Sequence, residues 1–102
     1  EIINRVKLIL RKSDFLSRYG GEEFVVIVPE INAEGALEVA EKIRATVEQT
    51  KFIHKSEVVK ITISIGLTHI KPGDRVHDQI FSRADRALYN AKQAGRNRVL
   101  SL

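Results

Sequence analysis

The sequence predicts an α+β domain, with helices packed on a mostly antiparallel sheet. Three patterns carry that reading. Apolar residues recur at the helical period in three separate stretches. Between them run short segments rich in apolar and β-branched residues, one of which alternates at period two. Gly20-Gly21 joins two such segments as a hairpin loop would. The resulting order is α-β-β-α-β-β-α-β, and its hairpins make antiparallel neighbours.

Each element has a local cause. Ile2, Ile3, Val6, Ile9 and Leu10 form one face of a helix over residues 1–12. No capping residue precedes Ile2, so the supplied chain is expected to begin inside a helix of something longer. A strand over 15–19 leads into Gly20-Gly21, where positive φ costs glycine nothing. The return strand, 22–28, stops at Pro29, which has no N–H for a ladder. Asn32 is the expected N-cap of a helix over 33–49. Ala36, Leu37, Ala40, Ile43 and Val47 make its buried side, with Lys42 and Arg44 on the polar flank. Strands over 52–54 and 58–67 enclose the polar turn Lys55-Ser56-Glu57. In the longer one Val59, Ile61, Ile63, Ile65 and Leu67 alternate with Lys60, Thr62, Ser64 and Gly66, which predicts one core face and one polar face. Lys71-Pro72-Gly73-Asp74 is a loop. A helix over 78–94 buries Ile80, Phe81, Ala84, Ala87, Leu88 and Ala91, and Gly95 ends it. A last strand covers 98–102.

The totals exclude several classes. A length of 102 residues allows one domain with a modest core. Without cysteine there is no disulfide framework and no Cys-based zinc site, which is compatible with a cytoplasmic setting. No stretch approaches the ~18 apolar residues of a membrane helix. The net charge of +4 suits an anionic ligand, yet no basic run suggests nucleic acid. His54, His69 and His77 have no ligand spacing and read as surface residues.

The chemistry concentrates at the first hairpin. Glu22 and Glu23 open the second strand, so their side chains point to opposite faces beside bare glycine backbone. Two readings stand for them: solvated acids at a turn, or ligands for a metal-bound nucleotide, since carboxylates hold Mg²⁺ and glycines admit a bulky anion. Lys92 and Arg96, four positions apart, can favour a helix C-terminus, meet phosphate, or do both. Arg18 can reach phosphate or pair with either glutamate. Arg11-Lys12-Ser13-Asp14 reads, from the residues alone, as a helix-end arginine followed by an aspartate that starts a turn.

Gly20-Gly21-Glu22-Glu23-Phe24 resembles the motif of the GGDEF domain, the diguanylate cyclase module, in its GGEEF form. Arg11-x-x-Asp14, Thr62-Ile63-Ser64-Ile65-Gly66, Arg83-Ala84-Asp85, Ala87-Leu88-Tyr89-x-Ala91-Lys92 and Gly95-Arg96-Asn97 follow in the family's order, over nearly the whole chain. The resemblance implies a palm-like fold of the nucleotidyl cyclase and ferredoxin-like kind. It implies that the family's first strand and one helix are missing before Glu1, making residues 1–102 a partial domain.

It also implies the roles. Glu22 is expected to hold Mg²⁺ or Mn²⁺, with Glu23 as second contributor. Gly20, Gly21, Lys92 and Arg96 are expected to take GTP, with the two cations on the triphosphate. Arg11 and Asp14, with Lys42, correspond to a product-inhibitory site for cyclic di-GMP; lysine at 42 keeps the charge and loses the fork. Asp85 and Tyr89 are expected to be structural. The implied reaction condenses two GTP into cyclic di-GMP and pyrophosphate between two facing domains, a homodimer. The chain alone is expected to be inactive, for want of a further metal ligand, and to dimerise or swap elements at its exposed sheet edge. Its parent is expected in the cytoplasm, anchored to a membrane only through other domains. The alternative is a non-catalytic receptor for cyclic di-GMP or GTP.

Overall fold

The computed structural model describes residues 15–20 and 22–102. The expected helix over 1–12 lies outside them, as do Arg11, Asp14 and Gly21. The described elements are β1 (Phe15–Gly20), β2 (Glu23–Val28), a 3-10 turn (Glu30–Asn32), α1 (Ala33–Gln49), β3 (Phe52–His54), β4 (Glu57–Val59), β5 (Ser64–His69), α2 (His77–Gln93) and β6 (Val99–Ser101). Asn32 stands at the N-cap of α1 as expected, but its side chain makes no cap hydrogen bond.

The sheet corrects the expected antiparallel arrangement. Among the described residues four strands run in the order β1-β2-β5-β6. β1 and β2 are antiparallel, whereas β2–β5 and β5–β6 are parallel. The cause is connectivity. A helix must carry the chain back across the sheet before a strand can pair in parallel, and α1 and α2 each do so. The β3–β4 hairpin is antiparallel but forms its own two-stranded sheet.

Helices therefore cover both faces. Phe24, Val26, Val28, Ile63, Ile65 and Leu67 pack with Ala36, Ala40, Ile43 and Val47 of α1. On the opposite face Val25 and Ile27 pack with Ala84 and Leu88 of α2. The unbroken apolar run Phe24–Val28 is that of a strand buried on both sides. The expected polar face of β5 is buried for the same reason. Ser64 and Thr68 are buried, and a Cβ on Gly66 would stand 2.3 Å from the backbone nitrogen of Leu88. Only glycine lets α2 lie this close to the strand.

Two boundaries and one buried position differ from expectation. The expected strand over 58–67 is two strands, with no ladder over 60–63. Alternation marks a residue's face, but a hydrogen-bonding partner makes the strand, and Ser64 is the residue opposite Glu23, the first of β2. Leu37 is exposed, because the buried stripe runs through Ala36, Ala40, Ile43 and Val47, a turn-spaced set that leaves it to one side. In the β3–β4 turn Lys55 and Ser56 both have positive φ, at 51° and 68°, so Glu57 belongs to the strand rather than the turn.

Candidate functional site

The parallel pairing brings the first residues of β2 and β5 side by side. Glu23 lies opposite Ser64, and the Ser64 amide donates to the carbonyl of Glu22 at 2.9 Å. Gly20 pairs with Glu23, after an irregularity in the ladder between Arg18 and Gly20. Glu22 consequently occupies the turn and is exposed, instead of opening the strand. The two carboxylates thus differ in setting: Glu22 faces solvent, and Glu23 is half-buried.

Two cations converge on Glu23. Lys92 Nζ donates to Glu23 Oε1 at 3.2 Å, and Arg96 Nη1 stands 3.6 Å from Oε2. Lys92 belongs to the last turn of α2, where a cation opposes the negative end of the helix dipole. Arg96 follows the helix end. There Gly95 has φ 122°, the Arg96 amide donates to Ala91 and the Gly95 amide to Lys92, a Schellman ending. Gly95 ends the helix as expected, and Lys92 and Arg96 share one carboxylate, a shared partner that the sequence does not predict.

The chain stays left-handed beyond the glycine. Arg96 has φ 62° and Asn97 φ 47°. Asparagine tolerates this region; for arginine it costs on the order of 1–2 kcal/mol. Asn97 is tied down on three sides. Its amide donates to Ser64 Oγ at 3.2 Å, its Nδ2 to Glu48 Oε2 at 2.6 Å, and its Oδ1 accepts from Arg44 Nη1 at 2.9 Å. Arg44 also holds Glu41 at 2.6 Å and Glu48 at 3.2 Å. The Asn97 amide, followed by Arg44, pulls the Glu48 carboxyl below its ordinary range. Hydrogen bonding to Glu41 raises the Arg44 guanidinium despite its burial.

Arg44, Glu48 and Asn97 have no role legible in the sequence: Arg44 is one residue of a polar flank, and Asn97 stands within the Gly95-Arg96-Asn97 motif. An asparagine following two residues at a helix end was the available signal, since asparagine is the side chain that both bonds its surroundings and tolerates positive φ. Arg83 likewise stands in the sequence only as part of a motif. It donates twice to Asp74, at 3.0 and 2.7 Å, and once each to Thr68 Oγ1 and the His69 carbonyl. Thr68 in turn donates to the Leu102 carbonyl at 2.6 Å. This clamp ties the 71–74 loop to β5 and α2.

Lys42 is not part of the Glu23 cluster. It is exposed on α1, beside a shallow groove formed with Leu37, Glu38, Glu41 and Ala45. No hydrogen bond or ion pair of its side chain reaches Glu23, Lys92 or Arg96 among the described residues. Asp85 and Tyr89 are exposed on α2, which fits a surface position better than the structural role expected of them.

The donor set suits a hard cation that arrives with phosphates. Among the described residues no group of three or more His, Cys, Asp or Glu side chains could hold a bare ion. Glu22 and Glu23 are adjacent in the chain, one exposed in the turn and one half-buried at the start of β2, and carboxylates with phosphate oxygens are the ligands that a hard divalent cation takes.

A family model described as "Diguanylate cyclase, GGDEF domain" matches residues 1–98. Diguanylate cyclase DgcP of Pseudomonas aeruginosa is 41% identical over 98 residues, which are 96% of this chain and 14% of that protein. Diguanylate cyclase A of Treponema denticola is 40% identical over 99 residues, 97% of this chain and 27% of that one. The chain therefore spans about a quarter or less of these relatives. Among solved structures, the GGDEF domain of DgcB from Caulobacter crescentus, in complex with c-di-GMP, superposes with a TM-score of 0.78 at 32% identity, over 98% of this chain and 58% of that one. The active GGEEF domain of a Vibrio cholerae diguanylate cyclase gives 0.75 at 29% identity, over 98% and 63%.

Proposed function

Because the chain belongs to the family of diguanylate cyclase GGDEF domains, we propose that it takes GTP at the Glu23 corner of its sheet. Within the whole protein, paired with a second copy that presents another GTP, it condenses the two into cyclic di-GMP and pyrophosphate. The observation that carries this reading is the convergence of Lys92 and Arg96 on Glu23. Two partly exposed cations on a shared carboxylate are a phosphate site held in reserve: a triphosphate offers both of them more negative charge than one glutamate does.

The residues divide the work as follows. Gly20 and Gly21 leave room for the nucleotide beside the turn. Lys92 and Arg96 turn from Glu23 to the phosphates and orient the chain of the triphosphate for in-line displacement. Glu23, relieved of its cations, would join Glu22 in holding a divalent cation, Mg²⁺ or Mn²⁺, which would supply charge neutralisation at the phosphates. The 3′-hydroxyl of one GTP attacks the α-phosphorus of the other and pyrophosphate leaves; a second displacement closes the ring. Each half-site lacks its nucleophile until the partner domain faces it, so the working unit is a homodimer. Arg11 and Asp14, outside the described residues, with Lys42, are proposed to bind cyclic di-GMP as a brake. The supply of GTP places this chemistry in the cytoplasm; among the described residues no helix is long and apolar enough to cross a membrane.

The test is chromatography of the whole protein, and of residues 1–102 alone, incubated with GTP and Mg²⁺. Cyclic di-GMP and pyrophosphate should form in a 1:2 ratio with the whole protein, Lys92→Ala should abolish most of it, and residues 1–102 alone should form little or none. Binding of GTP or cyclic di-GMP without turnover would replace the enzyme by a receptor.

A further inference from the structure

We infer that Asn97 is a positioning residue for Arg96, and that α1 reaches the phosphate site through it by way of Arg44 and Glu48. The inference rests on the phosphate role proposed above for Arg96 and adds to it the machinery that holds Arg96 in place.

Arg96 sits in a backbone conformation that arginine does not choose. Its φ of 62° is left-handed, and so are those of Gly95 before it and Asn97 after it. Gly95 and Asn97 accept such values; arginine has no local reason to. Something outside the turn must fix it. The Schellman bonds fix its beginning, through Ala91 and Lys92. Its end is held by Asn97, whose amide group and backbone N–H meet three partners from two elements: Ser64 on β5, and Arg44 and Glu48 on α1; the exposed Arg98 side chain adds one bond to the Arg96 carbonyl at 3.0 Å, and the Arg98 carbonyl takes the Ile65 amide.

The chemistry of those contacts is specific to asparagine. One side-chain atom must donate to Glu48 and another must accept from Arg44, at 2.6 and 2.9 Å. Aspartate can accept but would set a second carboxylate against Glu48. Alanine offers neither atom and resists positive φ. Ser64, which takes the backbone N–H, lies directly opposite Glu23 in the β2–β5 ladder. The turn is therefore referenced to the same strand position as the carboxylate that Arg96 faces at 3.6 Å. A contact this long and this exposed on the arginine side cannot locate the guanidinium by itself; the backbone has to.

The test is a thermodynamic cycle with GTP as the probe, read by calorimetry in the presence of Mg²⁺ on wild type, Arg96→Ala, Asn97→Ala and the double variant. Arg96→Ala and Asn97→Ala should each weaken binding about tenfold, and the double variant should be no weaker than Arg96→Ala. Asn97→Gly, which accepts the left-handed φ and so folds, should reproduce the loss seen with alanine. Glu48→Ala should reproduce it in part, and Glu48→Gln, whose amide oxygen still accepts from Asn97 but whose NH2 then faces Arg44 Nη1, should recover some of that loss. Losses that multiply to about a hundredfold in the double variant would overturn the inference, because Asn97 would then act without Arg96. So would a lower melting temperature in Asn97→Gly with unchanged affinity, the mark of a purely structural residue. Wild-type affinity in Arg96→Ala would instead overturn the phosphate reading itself, and this inference with it.

Discussion

Lys92 Nζ lies 3.2 Å from Glu23 Oε1, a contact that joins the end of α2 to the first residue of β2. Both side chains keep about a third of their surface in water, at 30% and 27%. A pair that wet contributes at most about 1 kcal/mol. Lys92→Ala should therefore leave the urea midpoint nearly unchanged. The same substitution removes a charge-assisted bond to phosphate, and such bonds are worth about 1.5–3 kcal/mol. GTP affinity should fall roughly ten- to a hundredfold. Calorimetry and denaturant unfolding on one preparation separate the two effects; a large loss of stability with intact affinity would make the pair structural.

Gly66 is the position where one methyl group should matter most to the fold. Its missing Cβ would meet Leu88 N at 2.3 Å, Ala84 O at 2.6 Å and Leu88 Cα at 2.7 Å, all of them backbone of α2. Backbone cannot step aside as a side-chain tip can, so α2 must move off the sheet. Gly66→Ala is expected to cost about 2–3 kcal/mol, or a melting temperature lowered by roughly 10–20 °C in a domain of this size. Because α2 carries Lys92, GTP binding should weaken as well. Thermal melting followed by circular dichroism checks the first effect.

Asp74 makes stability depend on acid. Its carboxyl is held at about 2, chiefly by the Arg83 guanidinium and next by the Lys71 amide. The unfolded value is 3.8. The folded state thus binds the proton more weakly, so the contribution of Asp74 is full above about pH 4 and fades as the pH falls towards 2. Melting temperature should be flat in this respect from pH 7 to 5 and drop below 4. Asp74→Asn should be less stable at pH 7 and show a shallower acid limb. An acid limb identical in the two proteins would remove Asp74 as its source.

Most of the helical content was legible because periodicity states it. Both described helices stand within a residue of their expected bounds. Strand direction was less legible, although two signals for it were present. A run of five buried residues, Phe24–Val28, needs cover on both faces. The helices between β2 and β5 and between β5 and β6 are the crossovers that parallel pairing requires. Weighting the two hairpins over those crossovers produced the antiparallel expectation. At the site, Lys92 and Arg96 could be paired from their spacing, and both meet Glu23. The Arg44–Glu48–Asn97 contacts could not. They join residues about fifty positions apart, and nothing local in α1 says which of its polar residues will face the turn after α2.

Glu22 offers the cleanest separation of chemistry from folding. It is exposed in the turn, and the bond it contributes to the sheet comes from its backbone carbonyl, which accepts from the Ser64 amide at 2.9 Å. Any residue keeps that carbonyl. Glu22→Ala should therefore melt within about 2 °C of wild type, as surface substitutions usually do. Under the proposed reading it also removes one of two carboxylates that hold the divalent cation. Cyclic di-GMP synthesis should fall by on the order of a hundredfold, an interaction worth about 3 kcal/mol. The metal dependence distinguishes a ligand from a bystander. Glu22→Gln, of nearly the same shape, should need several times more Mg²⁺ for half-maximal synthesis, because an amide oxygen binds a hard cation less strongly than a carboxylate does. An unchanged Mg²⁺ requirement in Glu22→Gln would take Glu22 out of the metal site and leave Glu23 as its carboxylate in this hairpin.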